Sequence, residues 1–227
     1  MTTPNYLADD DHARISAVVA ESERLSSGEI VTVLADRSDG YTDVAMAWGV
    51  LVALLALGTM ALFPSFYMGL YDSLIADWGH EWTPRMILSL ALGVVTIKFA
   101  AMMLLQLWQP VKFFLIPSAI RTTRVHDRAM RAFRLGAERR TTGRTGILIY
   151  LSMREHRVEI LADEAIARKV EPGVWADAIG AMLSELRAGR TAEAMIAGTR
   201  KVGAILALHV PRETGDVNEL PDRLIEL

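Results

Sequence analysis

Hydrophobic and polar residues separate into blocks along this chain. From Val44 to Phe63 the sequence reads VAMAWGVLVALLALGTMALF, twenty residues without a charge. As a helix this block rises about 30 Å, the thickness of bilayer hydrocarbon. From Met86 to Trp108 runs MILSLALGVVTIKFAAMMLLQLW, with Lys98 as its one charge. Two core helices of this kind would leave too little chain to wrap them, so the pattern predicts a pair of transmembrane helices.

Outside these blocks the period changes. Ile15, Val18, Val19 and Leu25 mark one face of a helix over 9–26, Gly28 stops it, and EIVTVLA (29–35) follows as a β-branched run. Val125, Ala129, Ala132, Phe133 and Gly136 recur at helical spacing, which predicts an amphipathic helix over 122–138. GILIYLSM (146–153) shows no polar alternation, as expected of a strand covered on both faces, and three residues separate it from RVEILA (157–162), which predicts a hairpin. Two helices follow. Trp175, Ala178, Ile179, Met182, Leu183 and Leu186 stripe the first, and Met195, Thr199, Val202, Ile205 and Leu206 stripe the second, with Thr191 as its cap.

A single helix and strand before the apolar blocks cannot close a core. If 29–35 pairs in parallel with 146–153, the helix 122–138 is their right-handed crossover. The hairpin, 41–120, is then an insertion inside one β-α-β unit. Residues 1–40 and 121–227 together make about 150 residues, a normal size for one domain. The fold class expected is α/β, a mixed sheet flanked by helices, carrying an inserted two-helix transmembrane hairpin.

Charge orients this arrangement. Between Arg121 and Arg144 stand eight arginines against Asp127 and Glu138, whereas the loop between the spans carries Asp72, Asp77 and Glu81 against Arg85, with Phe66, Tyr67, Tyr71, Trp78 and Trp82. Basic residues beside a span stay in the cytoplasm, so both termini are expected there. The opening MTTPNYLADDDHAR lacks a basic region followed by an apolar one, so no cleavable signal is expected. The chain has no cysteine, which excludes disulfides and thiolate chemistry. Its net charge of −3 over 227 residues, with 52% hydrophobic content, points to no polyanionic partner by itself.

The stretch GRTGILIYLSMREHRVEILADEAI, with VW at 174–175, AGR at 188–190 and NELPD at 218–222, resembles the TPM domain, in its bacterial branch with a membrane hairpin inside the domain. The opening HARISAVVAESERLSSGEIVTVLADRSDGY is similar to that domain's first helix and strand. The resemblance implies a multi-pass protein of the bacterial inner membrane and an α/β sandwich. For activity it implies roles ranging from phosphatase to repair and receptor modulation. It also implies acids in the loops after the strands, here Asp36, Asp39, Asp163 and Glu164. Such carboxylates suit Ca²⁺ or Mg²⁺, and a bound cation could polarise a phosphoryl oxygen. ADEAI stands where the family has a glycine-rich GYGLE-type turn, which removes close backbone approach to a phosphate. A helix cap at Asp163 and a solvated turn at Asp39 explain these acids more simply.

Glu155 and His156 fall in the expected hairpin turn with Glu159 nearby, where exposure is the usual state. His126 and Asp127 open the crossover helix, and no second histidine is spaced for a metal pair. No nucleophile or phosphate-loop pattern occurs. Arg121, Arg124, Arg128 and Arg131 share one helix face beside the bilayer, where each basic residue contributes about 1 kcal/mol toward anionic headgroups. Aromatic interleaving is missing, so nucleic acid is not expected. Lys98 lies deep in the second span with no acid in the first, so its partner is a carbonyl or hydroxyl such as Thr59 or Thr96, a second copy's helix, another membrane protein, or nothing if the amine is neutral. The expectation is an anchored interaction or quality-control module, with a metal-assisted phosphatase and a subunit of a larger membrane assembly as alternatives.

Overall fold

The computed structural model describes residues 6–74, 81–136, 143–212 and 218–227. Asp77, Trp78, Glu138, Arg139 and Arg140, which entered the charge and aromatic patterns, lie outside them. The chain forms two compact units, Met1–Asp39 with Ser118–Leu227, and Gly40–Pro117.

The first unit is built on a four-stranded sheet. Helix α1 (Asp9–Glu23) begins with Asp9, Asp10 and Asp11 at its positive end, and the Asp11 carboxylate accepts the Ala8 N–H at 3.2 Å. Strand β1 (Glu29–Ala35) pairs in parallel with β2 (Gly146–Ser152), Glu29 opposite Gly146 and Ala35 opposite Ser152. Strand β3 (Arg157–Ala162) returns antiparallel on β2. A two-residue strand β4 (Ile225–Glu226) adds in parallel to the other edge of β1, giving the order β3-β2-β1-β4.

Both faces of β1 and β2 are covered, which is why neither alternates in sequence. Ile30, Leu34, Ile147, Ile149 and Leu151 pack with α1, α8 (Ala176–Arg187) and α9 (Thr191–His209), against Ile15, Val19, Met182, Met195 and Leu206. On the opposite face Val31, Val33, Leu148 and Tyr150 pack with Val125, Ala129 and Phe133 of α6 (Ser118–Gly136) and with Leu220. Thr191 is the first residue of α9 rather than its cap; Arg190 occupies the cap position without a side-chain hydrogen bond.

The second unit contains α2 (Thr42–Leu62), α3 (Pro64–Leu74), α4 (Pro84–Leu105) and α5 (Gln109–Leu115). Helices α2 and α4 are long and apolar enough to cross a membrane. Their apolar windows are 33% and 6% buried, so the described chain leaves most of that apolar surface uncovered. The buried positions of α2 include Ala45, Gly49, Ala53 and Ala56, small residues every three or four positions that let α4 approach closely. A Cβ on Gly49 would stand 2.8 Å from the Phe99 ring. Leu54, Leu55, Leu88, Leu92 and Ile97 face outward. At the end of the hairpin where the chain enters and leaves, Lys112 Nζ donates to the Gly40 carbonyl at 2.6 Å, Trp48 Nε1 to Leu115 at 3.0 Å, and Gln106 Nε2 to Ala45 at 3.1 Å.

Two elements depart from the sequence pattern. The segment after the first span is a helix, α3, started by Pro64 just beyond the end of α2, rather than a plain loop. Helix α4 ends at Leu105, three residues before Trp108, so Lys98 lies about 10 Å from that helix end. Its side chain is exposed.

Candidate functional site

Parallel strands end side by side, and in α/β sheets their carboxyl ends are where ligand sites form. Here that end belongs to β1 and β2. The chain leaves β1 through Asp36, Ser38 and Asp39, and leaves β2 through Ser152, Arg154 and Glu155. Arg154 N–H donates to the Asp36 carbonyl at 3.0 Å and Met153 N–H to Ala35 at 2.9 Å, so the two exits are zipped together by backbone before any side chain acts.

The side chains form a closed polar network. Glu155 is 3% exposed although it sits in a hairpin turn. One of its oxygens accepts the Ser38 N–H at 3.0 Å, the other the Ser152 hydroxyl at 2.5 Å. Ser38 Oγ lies 2.9 Å from Ser152 Oγ and 3.1 Å from the Tyr150 hydroxyl. Burial pushes the Tyr150 phenol above its usual pKa, against the lowering effect of Ser38 and Arg128. Arg154 Nε reaches both oxygens of Asp36, at 2.9 and 3.0 Å, and the Tyr6 hydroxyl donates to the same carboxylate. Burial first, and Asp36 second, push the Tyr6 phenol up to about 12. Arg124 Nε meets Asp39 at 3.1 Å. Next to Glu155 the backbone turns left-handed at His156 (φ 50°), which sends the imidazole to solvent while the carboxylate goes inward.

The four loop acids therefore do not converge. Asp36 and Asp39 stand at this end. Asp163 donates its N–H to the Gly146 carbonyl at 2.8 Å, at the start of β2, so it and Glu164 stand at the opposite end of the sheet. With a strand rise of about 3.3 Å per residue, the two pairs are on the order of 20 Å apart, too far to share one cation. Asp163 caps α7 (Glu164–Ala167), its Oδ1 accepting the Glu164 N–H at 2.7 Å. Arg144, at 2.5 Å, and Arg168 hold the Glu164 carboxyl below the usual range. At the near end Asp36 is already met by a guanidinium and a phenol, and a divalent cation would have to displace Arg154. Among the described residues no group of three or more His, Asp or Glu side chains is arranged to hold a metal.

The arginine stripe also divides. On a helix at 100° per residue its axis lies about 100° from the buried Val125–Ala129 stripe, so the arginines flank the domain contact rather than oppose it. Arg121, Arg124 and Arg128 are half-buried, Arg124 on Asp39 and Arg128 beside Tyr150, and Arg131 is exposed. His126 Nδ1 lies 3.4 Å from Glu159.

A second polar centre, not anticipated from the sequence, closes the other end of β1. Glu29, 4% exposed, accepts the N–H groups of Glu219 and Leu220 at 3.3 and 3.2 Å, which fastens the NELPD segment against the sheet. Glu23 accepts the Ile30 N–H at 2.8 Å, and Asn218 Nδ2 lies 3.4 Å from its other oxygen and 2.6 Å from Asp222. These groups line a cavity of about 180 Å³ with Arg24 and Arg212. Burial foremost, with Glu29 and Asp222 adding, pushes the Glu23 carboxyl up to about 8. The signal that could have found this centre is a glutamate opening a strand whose remaining residues are nearly all apolar, since such a charge must have built-in donors.

Residues 112–205 match the TPM domain family model. The fold resembles the NMR structure of BA42 protein from the psychrophilic bacterium Bizionia argentinensis, with a TM-score of 0.57 and 16% identity over 100% of this chain and 99% of that one. No curated protein matches.

Proposed function

We propose that this chain, a TPM-type domain interrupted by a two-helix hairpin, is an anchored interaction module: the hairpin lies in a bilayer, both termini are cytoplasmic, and the hairpin captures a membrane partner or a second copy. The observation that carries this reading is Lys98. Its side chain is exposed on the outer surface of α4, in the otherwise uncharged apolar run 86–108, and the facing run 44–63 contains no acid, the one carboxylate of α2 being Asp43 in its first turn. A charge in that position is costly in lipid and is retained where it meets a carboxylate, carbonyl or hydroxyl on another helix. The closed network at the strand ends supports the same reading, because Asp36 and Glu155 have their oxygens occupied by protein donors. That network fixes the loop through which the chain departs toward the hairpin.

Replacing Lys98 with leucine tests it. In membranes, cross-linked assemblies containing the full chain should fall for Lys98→Leu while the monomer remains; an unchanged assembly distribution refutes the proposal. A reporter at position 75 active only in the cytoplasm would refute the orientation.

A further inference from the structure

The carboxyl ends of β1 and β2 hold more guanidinium groups than their carboxylates answer. Arg37 lies in the exit from β1, Arg154 in the β2–β3 connection, Arg157 opens β3, and Arg121 and Arg124 lie near the start of α6. Arg154 is occupied by Asp36 and Arg124 by Asp39, while Glu155 is buried on Ser38 and Ser152. Among the described residues Arg37 and Arg121 meet no carboxylate, and Arg157 reaches the Ser118 carbonyl, at 3.4 Å. Arg37 is exposed and the other two are half-buried. Arg121 holds its Nε in a buried position with no hydrogen-bond partner among the described residues. A donor so placed calls for an acceptor from outside the domain.

The surplus lies on one side of the sheet. Arg121 belongs to α6, and the Arg157 contact with Ser118 brings the start of β3 to the same helix. The chain leaves the first unit at Asp39 and re-enters it at Ser118, and the Arg124 contact with Asp39 sets both crossing points at this edge. Gly40 and Tyr41 alone separate Asp39 from α2, a stretch that spans at most about 11 Å. On the bilayer reading of the hairpin, this edge is therefore held near the membrane surface. The acids Asp9, Asp10 and Asp11 open α1, which packs on the other face of the sheet. Glu159, two residues beyond Arg157, is met by His126 at 3.4 Å.

A lipid phosphate offers a guanidinium two acceptor oxygens at once, and an anionic headgroup leaves that charge uncompensated by an amine. We infer that Arg37, Arg121 and Arg157 form a docking surface for anionic phospholipid headgroups, which lays the α6 edge of the domain on the bilayer. The rest of the helical stripe takes no part: Arg124 is spent on Asp39, Arg128 stands beside Tyr150, and Arg131 lies about 15 Å farther along α6 than Arg121. This surface rests on the bilayer reading.

The test reconstitutes the full chain into nanodiscs of phosphatidylcholine with and without phosphatidylglycerol. An arginine-specific dicarbonyl reagent then reports the accessibility of each arginine by peptide mass spectrometry. Each basic residue near an anionic surface biases docking about fivefold, so modification of Arg37, Arg121 and Arg157 should slow by up to roughly a hundredfold in the anionic discs. High salt should restore the rate. Arg131 and Arg200, exposed on α6 and α9, should react equally in both discs. Arg121→Gln should reduce the protection of Arg37 and Arg157 about fivefold. Arg121→Lys should keep most of it, and Arg131→Gln should leave it unchanged. Equal protection in neutral discs, protection of Arg131 to the same degree, or indifference to salt overturns the assignment. A protein that stays monodisperse without detergent and does not enter nanodiscs would instead defeat the bilayer reading, so the two failures are distinct.

Discussion

Substituting Glu23 with glutamine should change how stability depends on pH. Glu23 is 8% exposed, and burial together with Glu29 and Asp222 raises its pKa from 4.5 to about 8. Between those values the folded chain holds a proton that the unfolded chain has released. The folded state therefore binds more protons, and its stability falls as pH rises through that window and levels off above about 8. A tenfold difference in proton affinity between the two states corresponds to about 1.4 kcal/mol, and the cavity beside the carboxyl admits screening, so a loss of roughly 3 kcal/mol across the window is expected. Glutamine keeps the acceptor for Ile30 N–H and cannot ionise. Pulse proteolysis in urea on the full chain in mild detergent measures the effect, with Arg24 and Arg212 nearby and common to both proteins. Wild type should lose stability from about pH 5 to about pH 9 while Glu23→Gln stays nearly level and becomes the more stable of the two at the alkaline end. Parallel curves would show that Glu23 does not keep its proton in the fold.

Other perturbations follow from the same geometry. Arg154→Met leaves the Asp36 carboxylate half-buried beside Tyr6 and should cost about 1–3 kcal/mol, and combining it with Asp36→Asn should recover part of that loss in a double-mutant cycle. Thr32 and Thr199 bury hydroxyls that have no hydrogen-bond partner among the described residues, so Thr32→Val should stabilise the domain by about 1 kcal/mol in denaturant titrations. Gly49→Leu forces the Phe99 ring aside and should separate α2 from α4, read as loss of a disulfide engineered between cysteines placed on the two helices. Gly49→Ala should have a smaller effect of the same sign.

The sandwich is legible in the sequence because EIVTVLA and GILIYLSM lack alternation, and a strand buried on both faces gives that signal directly. Short elements are not. β4 is two residues long and is held by the β1 edge at Val33 and Leu34, so its residues carry no periodicity. Glu155 is hidden for a different reason. A charged residue in a turn is normally exposed, and the donors that permit burial here include the Ser38 N–H, which is remote in sequence. The separation of Asp36 from Asp163 is implicit in the expected hairpin: a strand that reverses direction delivers its following loop to the end where its partner began. The arginine stripe is visible from its spacing alone, but its angle to the Val125–Ala129 stripe decides what it meets.

The parallel register of Glu29 with Gly146 has a consequence for synthesis. One hundred and ten residues separate Ala35 from Gly146, so the first strand leaves the ribosome long before its neighbour exists. At about 5–20 residues per second that wait is on the order of 5–20 s, during which a largely apolar strand with an unpaired edge stands open to other chains. On the bilayer reading of the hairpin, the intervening stretch is partitioned into lipid within the same interval. Delivery to the translocation machinery and completion of the sheet thus become successive steps of one assembly, and delayed insertion should appear first as aggregation of the nascent amino-terminal segment.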